Sequence, residues 1–222
     1  MSDWKLILSS LPSLLEAGLK MTLPLTALSF GLALVIAVIT ALIQYAKVPV
    51  LRQLARLYIW IIRGTPLLVQ LAVTFFGLPS IGIKVNAFWS AVAVMAINEG
   101  AYMAETIRGC LEAVPKGQLE AGYCVGMNYV QIMWHIVLPQ AIRTAVPSLG
   151  NSIISMLKDT SLASTITVTE MFAASKKIAG KTYRFMAMYL AVALIYLLFS
   201  TILTWVQKTV EKKMETYGGE RK

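Results

Sequence analysis

The sequence predicts an all-α membrane protein: five transmembrane helices, an N-terminal interfacial helix, and a short cytoplasmic helix between the third and fourth spans. Three observations predict it. Apolar residue types make up 57% of the 222 residues and charged ones only 14%, with a mean hydropathy of +0.68, outside the range of soluble domains. The apolar residues gather into runs comparable to the ~20 residues a helix needs to cross the hydrocarbon core. The basic residues, which leave a net charge of +9, flank those runs, as Lys and Arg do on cytoplasmic membrane faces. The aromatic residues sit in spans or at their ends and form no basic aromatic groove, so the charge does not signify nucleic-acid binding.

Residues 1–20 read as an amphipathic helix in the interface, because Trp4, Ile7, Leu8, Leu11, Leu14 and Leu15 recur at helical spacing. Asp3 and Glu16 precede the first long apolar run and no small-residue cleavage site follows it, so this end lacks a signal-peptide layout. Met21 to Ala46 carries no charge and is the first span. Its small residues at Ala27 and Gly31, and at Ala33, Ala37 and Ala41, are spaced for close helix approach within one subunit. Trp60 to Leu78 is the second span, interrupted by Gly64-Thr65-Pro66 and closed by Gly77-Leu78-Pro79. There Gly64 and Pro66 mark a helix start, with Thr65 placed to cap the freed backbone donors.

Ala87 to about Ile107 is the third span, and it carries Asn98, Glu99 and Glu105. Thr144 to Leu157 makes a short fourth, ending at Lys158-Asp159, and Phe185 to Gln207 a fifth without interior charge. The transmembrane domain thus covers residues 21–213, leaving residues 214–222 as a cytoplasmic tail. Five spans put the termini on opposite faces. Lys47, Arg52, Arg56 and Arg63 share a face with Lys208, Lys212 and Lys213 if the N-terminus is outside. The loop of about residues 112–140 falls on that cytoplasmic face. Lys176, Lys177, Lys181 and Arg184 then face outward, as a contact surface for an acidic partner or as a solvated loop.

The loop is patterned like a helix that docks onto something. Pro115 and Gly117 open it, Gln118 to Val125 suit a short helix, and Gly126 ends that helix at little steric cost. Glu120-Ala121-Gly122, three residues, Gly126, nine residues and then Ile136-Val137-Leu138-Pro139 resembles the coupling loop of ATP-driven importer permeases, whose pattern reads Glu-Ala-Ala, Gly, Ile-x-Leu-Pro at the same spacing. The departure is Gly122, where that family usually has Ala; it should loosen the helix by under about 1 kcal/mol. Arg63-Gly64-Thr65-Pro66-Leu67-Leu68-Val69-Gln70, and Asn151 to Leu162 with Lys158-Asp159-Thr160-Ser161-Leu162, resemble the polar amino-acid branch of these permeases, which carries histidine, glutamine, arginine or cystine. Together the matches run from about Leu14 to Lys213.

The resemblance implies the fold of type I importer permeases and a non-catalytic subunit of the bacterial plasma membrane. It further implies two permease copies (a homodimer or a pair with a paralogue) and separate ATPase subunits holding ATP and Mg. Those subunits would dock through Glu120, Ala121, Gly122, Gly126 and Pro139. An extracytoplasmic binding protein would deliver the substrate, and no cofactor or metal belongs to this chain. Small Ala121 and Gly122 are read as admitting a partner's groove, and Glu120 as pairing with a partner's cation.

The substrate candidates are the polar residues within the spans. Counting about 1.5 Å per residue from Ala87 puts Asn98 and Glu99 roughly 16–18 Å deep, near mid-core. A carboxylate there costs about 3 kcal/mol on insertion scales and needs a partner or a watery cavity. An amino acid's ammonium group is one such partner; an internal ion pair with Lys158 is the other reading. Lys158 and Asp159 offer charges for a zwitterion, Ser161 lies in the same motif, and Met156 and Leu157 are expected as apolar walls. In the branch resembled, the position of Glu99 is commonly small. Glu105, Arg108 and Glu112 read as a solvated charge ladder.

Other chemistries fail on the residues. Gly180-Lys181-Thr182 lacks the first glycine of a phosphate-binding loop, since Ser175 stands there. Cys110 and Cys124 form no metal or redox pair, and His135 stands without partner ligands. An ion-coupled carrier using Glu99 and Asp159, which would need no motor, and an assembly subunit without a pathway of its own are the rival classes.

Overall fold

The computed structural model describes residues 3–46 and 48–216. Lys47 and residues 217–222 of the expected tail lie outside the described residues. The described residues form helices and short connections, with no strand among them.

Asp3–Tyr45 is a single helical run of 43 residues, α1. At 1.5 Å per residue it is about 65 Å long, twice the hydrocarbon core. The expected interfacial segment is thus helical, but it continues directly into the first span. Pro49–Arg63 (α2) and Leu67–Ser80 (α3) meet at 98°, so the second expected span is a bent pair whose first arm begins well before Trp60. Ala87–Glu112 (α4), Lys116–Cys124 (α5) and Leu138–Asp159 (α6) follow. Met171–Thr182 (α7) and Phe185–Thr216 (α8) complete the chain. The region expected as an outward loop is therefore largely helix α7.

Prolines shape these helices without ending them. Widened π-turns at Gly18–Thr22, Val73–Gly77 and Met133–Val137 each stand just ahead of a proline: Pro24, Pro79 and Pro139. A proline in a helix lacks the N–H its turn requires and presses on the carbonyl four residues back; a wider turn relieves both problems. The helix passes Pro79 by one residue and ends at Ser80, close to the expected end at Gly77-Leu78-Pro79. The fourth expected span starts at Leu138 instead of Thr144 and passes through Pro147.

Gly64-Thr65-Pro66 does break the chain. Thr65 caps the other side of that break from the one expected: its Oγ1 donates to the Ile61 carbonyl at 2.9 Å. Gln70 Nε2 donates to the Ile62 carbonyl at 2.9 Å and to Thr65 Oγ1 at 2.8 Å. The last carbonyls of α2, left without intrahelical partners, are satisfied this way.

α4 is the central helix, packed by α1, α2 and α6, while α8 closes over α6, α7 and the N-terminal half of α1. Ala33, Ala37 and Ala41 are fully buried and serve packing within the subunit, as expected, whereas Ala27 and Gly31 are exposed and do not. Gly100 of α4 completes that contact: a Cβ there would lie 2.9 Å from Ile36 Cγ2 and 3.3 Å from the Ala33 carbonyl. Gly100→Val is expected to overpack the seam by about 1–3 kcal/mol. The check is the melting temperature of the purified protein, which should fall by about 2–4 °C per kcal/mol.

By length and composition α1 and α8 qualify as membrane spans, and the α2–α3 pair makes a third. α4 and α6, with 26 and 22 residues, are long enough at about 39 and 33 Å but are not apolar enough for direct lipid exposure. Such helices must be shielded by protein or water.

Candidate functional site

Two regions gather the sequence candidates. The first is a polar seam between α4 and α6. Glu99 of α4 faces the Ser152 side chain of α6 and has the Asp159 carboxylate as a charged neighbour. Among the described residues no ion pair joins Glu99 to Lys158; Lys158 is exposed and its charge acts on Asp159. Beside this cluster runs a stripe along α6: Thr144, Ser148, Asn151, Ser155 and Lys158 are all polar and all exposed. Their spacing of four, three, four and three residues places them on one helix face. Ser152 and Asp159 lie one step around the helix, between that face and Glu99.

The remaining candidates take structural places. Asn98 is buried and its Nδ2 donates to Gln70 Oε1 at 3.1 Å, while the Tyr58 hydroxyl donates to the Ile97 carbonyl at 2.6 Å. Asn98 thereby ties the break at Gly64-Thr65-Pro66 to α4. Asn98→Ala would strand the Gln70 carbonyl oxygen, an expected loss of about 1–3 kcal/mol readable as a lower melting temperature without substrate. Met156 and Leu157, only 2% and 0% exposed, pack into two different cores: Met156 with Met95 and Met103, Leu157 with Leu14 and Met188. The Ser161 hydroxyl donates to the Lys158 carbonyl at 2.8 Å, within the turn that ends α6.

Three further groups escaped the sequence reading. Ser152 lay inside the Asn151 to Leu162 match but was not singled out there. Gln70 was visible only as the end of one. Glu170 is fully buried and caps α7, accepting from the Phe172 and Ala173 amides at 2.7 and 2.6 Å and from the Tyr196 hydroxyl at 2.7 Å. A helix predicted over 171–182 would have exposed that capping role. The charge ladder does form, with Arg108 bridging Glu105 at 2.9 Å and Glu112 at 2.6 Å. Gln44 of α1 also donates to Glu105 at 3.1 Å.

The second region is α5 and its exit. Gly126, at φ +81°, takes the left-handed position after the helix. The Met127 amide donates to the Gly122 carbonyl and the Gly126 amide to the Tyr123 carbonyl, both at 3.0 Å, the paired closure of a Schellman motif. Asn128 and Gln131 then cap the next turn reciprocally, at 2.9 and 2.8 Å. Glu120 and Ala121 are exposed, whereas Gly122 is buried. A Cβ on Gly122 would lie 2.7 Å from Ile132 Cγ1 and 3.3 Å from Ile136 Cδ1. Gly122 therefore admits a side chain of its own subunit, where the sequence suggested a partner's groove. Ile132 belongs with Leu111, Met133, Val137 and Ala141 to a core that also holds Leu119 of α5, so α5 is fastened to α4 and α6. Pro139 is exposed at the start of α6.

The sequence pattern of one family, the binding-protein-dependent transport system inner membrane component, matches residues 33–216. The chain belongs to that family. Its relatives within this group of permeases include the L-cystine transport system permease protein TcyB of Bacillus subtilis (strain 168), 40% identical over 96% of this chain and 92% of its own length. The glutamine transport system permease protein GlnP of Escherichia coli (strain K12) is 34% identical over 96% of this chain and 98% of its own. A crystal structure of an amino acid ABC transporter with histidines superposes with a TM-score of 0.87 at 34% identity, over 93% of this chain and 96% of that one. The inward-facing methionine ABC transporter MetNI, at 17% identity and a TM-score of 0.78, shares the fold. The protein is thus an inner-membrane permease component, a non-catalytic membrane subunit of all-helical type I importer fold.

Proposed function

We propose that this chain is the permease subunit of an ATP-driven importer of polar L-amino acids, of the cystine, glutamine, histidine or arginine type. It crosses the membrane five times with the N-terminus outside and the C-terminus in the cytoplasm. The observation that carries the reading is the polar stripe of α6, flanked by Glu99, Ser152 and Asp159. Hydroxyl, amide and ammonium groups on one face of a helix at membrane depth demand water or protein over them. A second permease copy, related by a two-fold axis, supplies that cover and encloses a wet pathway. Glu99 and Asp159 then present carboxylates to the substrate's ammonium group, and Lys158 an ammonium to its carboxylate.

Two ATPase subunits, holding ATP and Mg²⁺, engage the exposed side of α5 at Glu120 and Ala121. Because α5 is packed on α4 and α6 through Leu119 and Ile132, a push on it reaches the helices that carry Glu99 and Asp159. ATP and a loaded external binding protein favour different states of the pathway, which gives net movement. The relatives named for cystine and glutamine transport support the substrate class.

Reconstitution tests the reading. Proteoliposomes holding the permease, its ATPase and its binding protein should accumulate a polar amino acid only with ATP inside the motor compartment. Uptake by the permease alone, driven by an ion gradient, would instead establish an ion-coupled carrier.

A further inference from the structure

We propose that the membrane face formed by α2 and the end of α4 holds the phosphate of an anionic phospholipid. Gln44, Arg52, Arg56, Trp60, Glu105 and Arg108 line a cavity of about 290 Å³ there. Three arginines and one carboxylate line it, an excess of two positive charges. Arg108 is engaged by Glu105 and Glu112; among the described residues no ion pair holds Arg52 or Arg56. Arg52 and Arg56 are one helical turn apart and on the same side of α2.

The cavity stands away from the proposed pathway. Glu105 and Arg108 follow Glu99 by six and nine residues, roughly 120° and 180° around α4. The surroundings suit a lipid better than a soluble anion. Leu54, Leu57 and Ile61 expose an apolar stripe on α2, and Trp60, 73% exposed, stands at the cavity's rim. That stripe is roughly 150° around α2 from Arg52 and Arg56, with Trp60 between the two. A phosphate seated on the arginines would set its headgroup against Trp60, and its acyl chains would pass Trp60 toward Leu57. Basic pockets between helices at a membrane face are suited to anionic headgroups. The inference needs only that the chain lies in a bilayer; it is independent of the transport reading.

Native mass spectrometry of the assembled, delipidated transporter tests it. With phosphatidylglycerol or phosphatidylcholine added in equal amounts, wild-type protein should retain phosphatidylglycerol preferentially. Each arginine contributes roughly fivefold near an anionic surface, so R52Q/R56Q should lose most of that preference. R52K/R56K, which keeps the charge, should retain much of it, and K176Q/K177Q on α7 should leave it intact. Equal retention of both lipids by wild type, or an undiminished preference in R52Q/R56Q, would overturn the proposal. Displacement of the lipid by millimolar inorganic phosphate alone would also overturn it, showing a site for a soluble anion. None of these readouts depends on uptake, so failure of the transport reading and failure of the lipid site are told apart.

Discussion

Glu99→Gln is expected to raise the KM for uptake about 10- to 100-fold, the worth of one charge-assisted hydrogen bond of about 1.5–3 kcal/mol. Glutamine keeps the size and the acceptor oxygen of Glu99 but removes the charge that an ammonium group would meet. Ser152 is the side chain that Glu99 faces across the seam, and a hydroxyl partner is as well served by an amide. A purely structural role therefore predicts near-normal uptake in this variant. Asp159→Asn should act in the same direction, because its carboxylate borders the same stripe of α6. Uptake measured as a function of substrate in proteoliposomes separates KM from the maximal rate. Unchanged kinetics in both variants would remove these carboxylates from the substrate's path.

Gly122→Val should all but abolish coupled uptake while leaving nucleotide turnover measurable. Its branched side chain has to displace Ile132, which is fully buried and lies 2.7 Å from the first added carbon. Overpacking of this kind costs about 1–3 kcal/mol and would lift α5 from the core it shares with α4 and α6. Gly122→Ala should show the same effect more mildly, despite the better helix propensity of alanine. Combining it with Ile132→Ala should recover part of the loss, a coupling of about 0.5–3 kcal/mol between touching residues. The companion measurement is a cross-link from a cysteine at Ala121 to the ATPase, made after Cys124 is replaced, since that thiol is exposed on the same helix. Normal uptake by Gly122→Val would show that α5 does not carry the motor's force.

The helices of this chain were legible in its sequence to different degrees. The start of α4 was read correctly at Ala87, where the structure shows Asn86 as its cap, while its end lies at Glu112, five residues past the expected Ile107. α5 was readable because Gly126 is one of the few residues that enter the left-handed region without strain. Two of the misread boundaries share a cause. Pro79 stands where a helix was expected to close and Pro139 ahead of the expected start of one, yet a π-turn carries the helix through each, as another does ahead of Pro24. Whether a proline breaks or merely widens a helix depends on whether the neighbouring helices still reward a continuous rod, which local pattern does not contain. The bend at Gly64-Thr65-Pro66 goes the other way for the same reason. There Gln70, Thr65 and Asn98 satisfy the groups that the break exposes.

The candidate site divides likewise. Glu99 announced itself by rarity, since a carboxylate amid apolar residues requires a partner wherever it ends up. Ser152 did not, because serine is inexpensive in many settings and gains meaning only from the carboxylate across from it. Met156 and Leu157 could be assigned to a wall or to a core only once α1, α7 and α8 were in place around them.

The sequence by itself determined that this protein lives in a bilayer, where its long apolar helices run, and where the short helix α5 stops. Those properties follow from transfer energies and backbone preferences, which are sums over neighbouring residues. Only the tertiary structure decided that Gly122 faces inward, that Asn98 braces a bend, and that the polar edge of α6 stays exposed, with Gln207 of α8 reaching Asn151 at 3.4 Å. Each is a fact about which surfaces meet, and residues far apart in the chain meet according to shape and packing that no local window records.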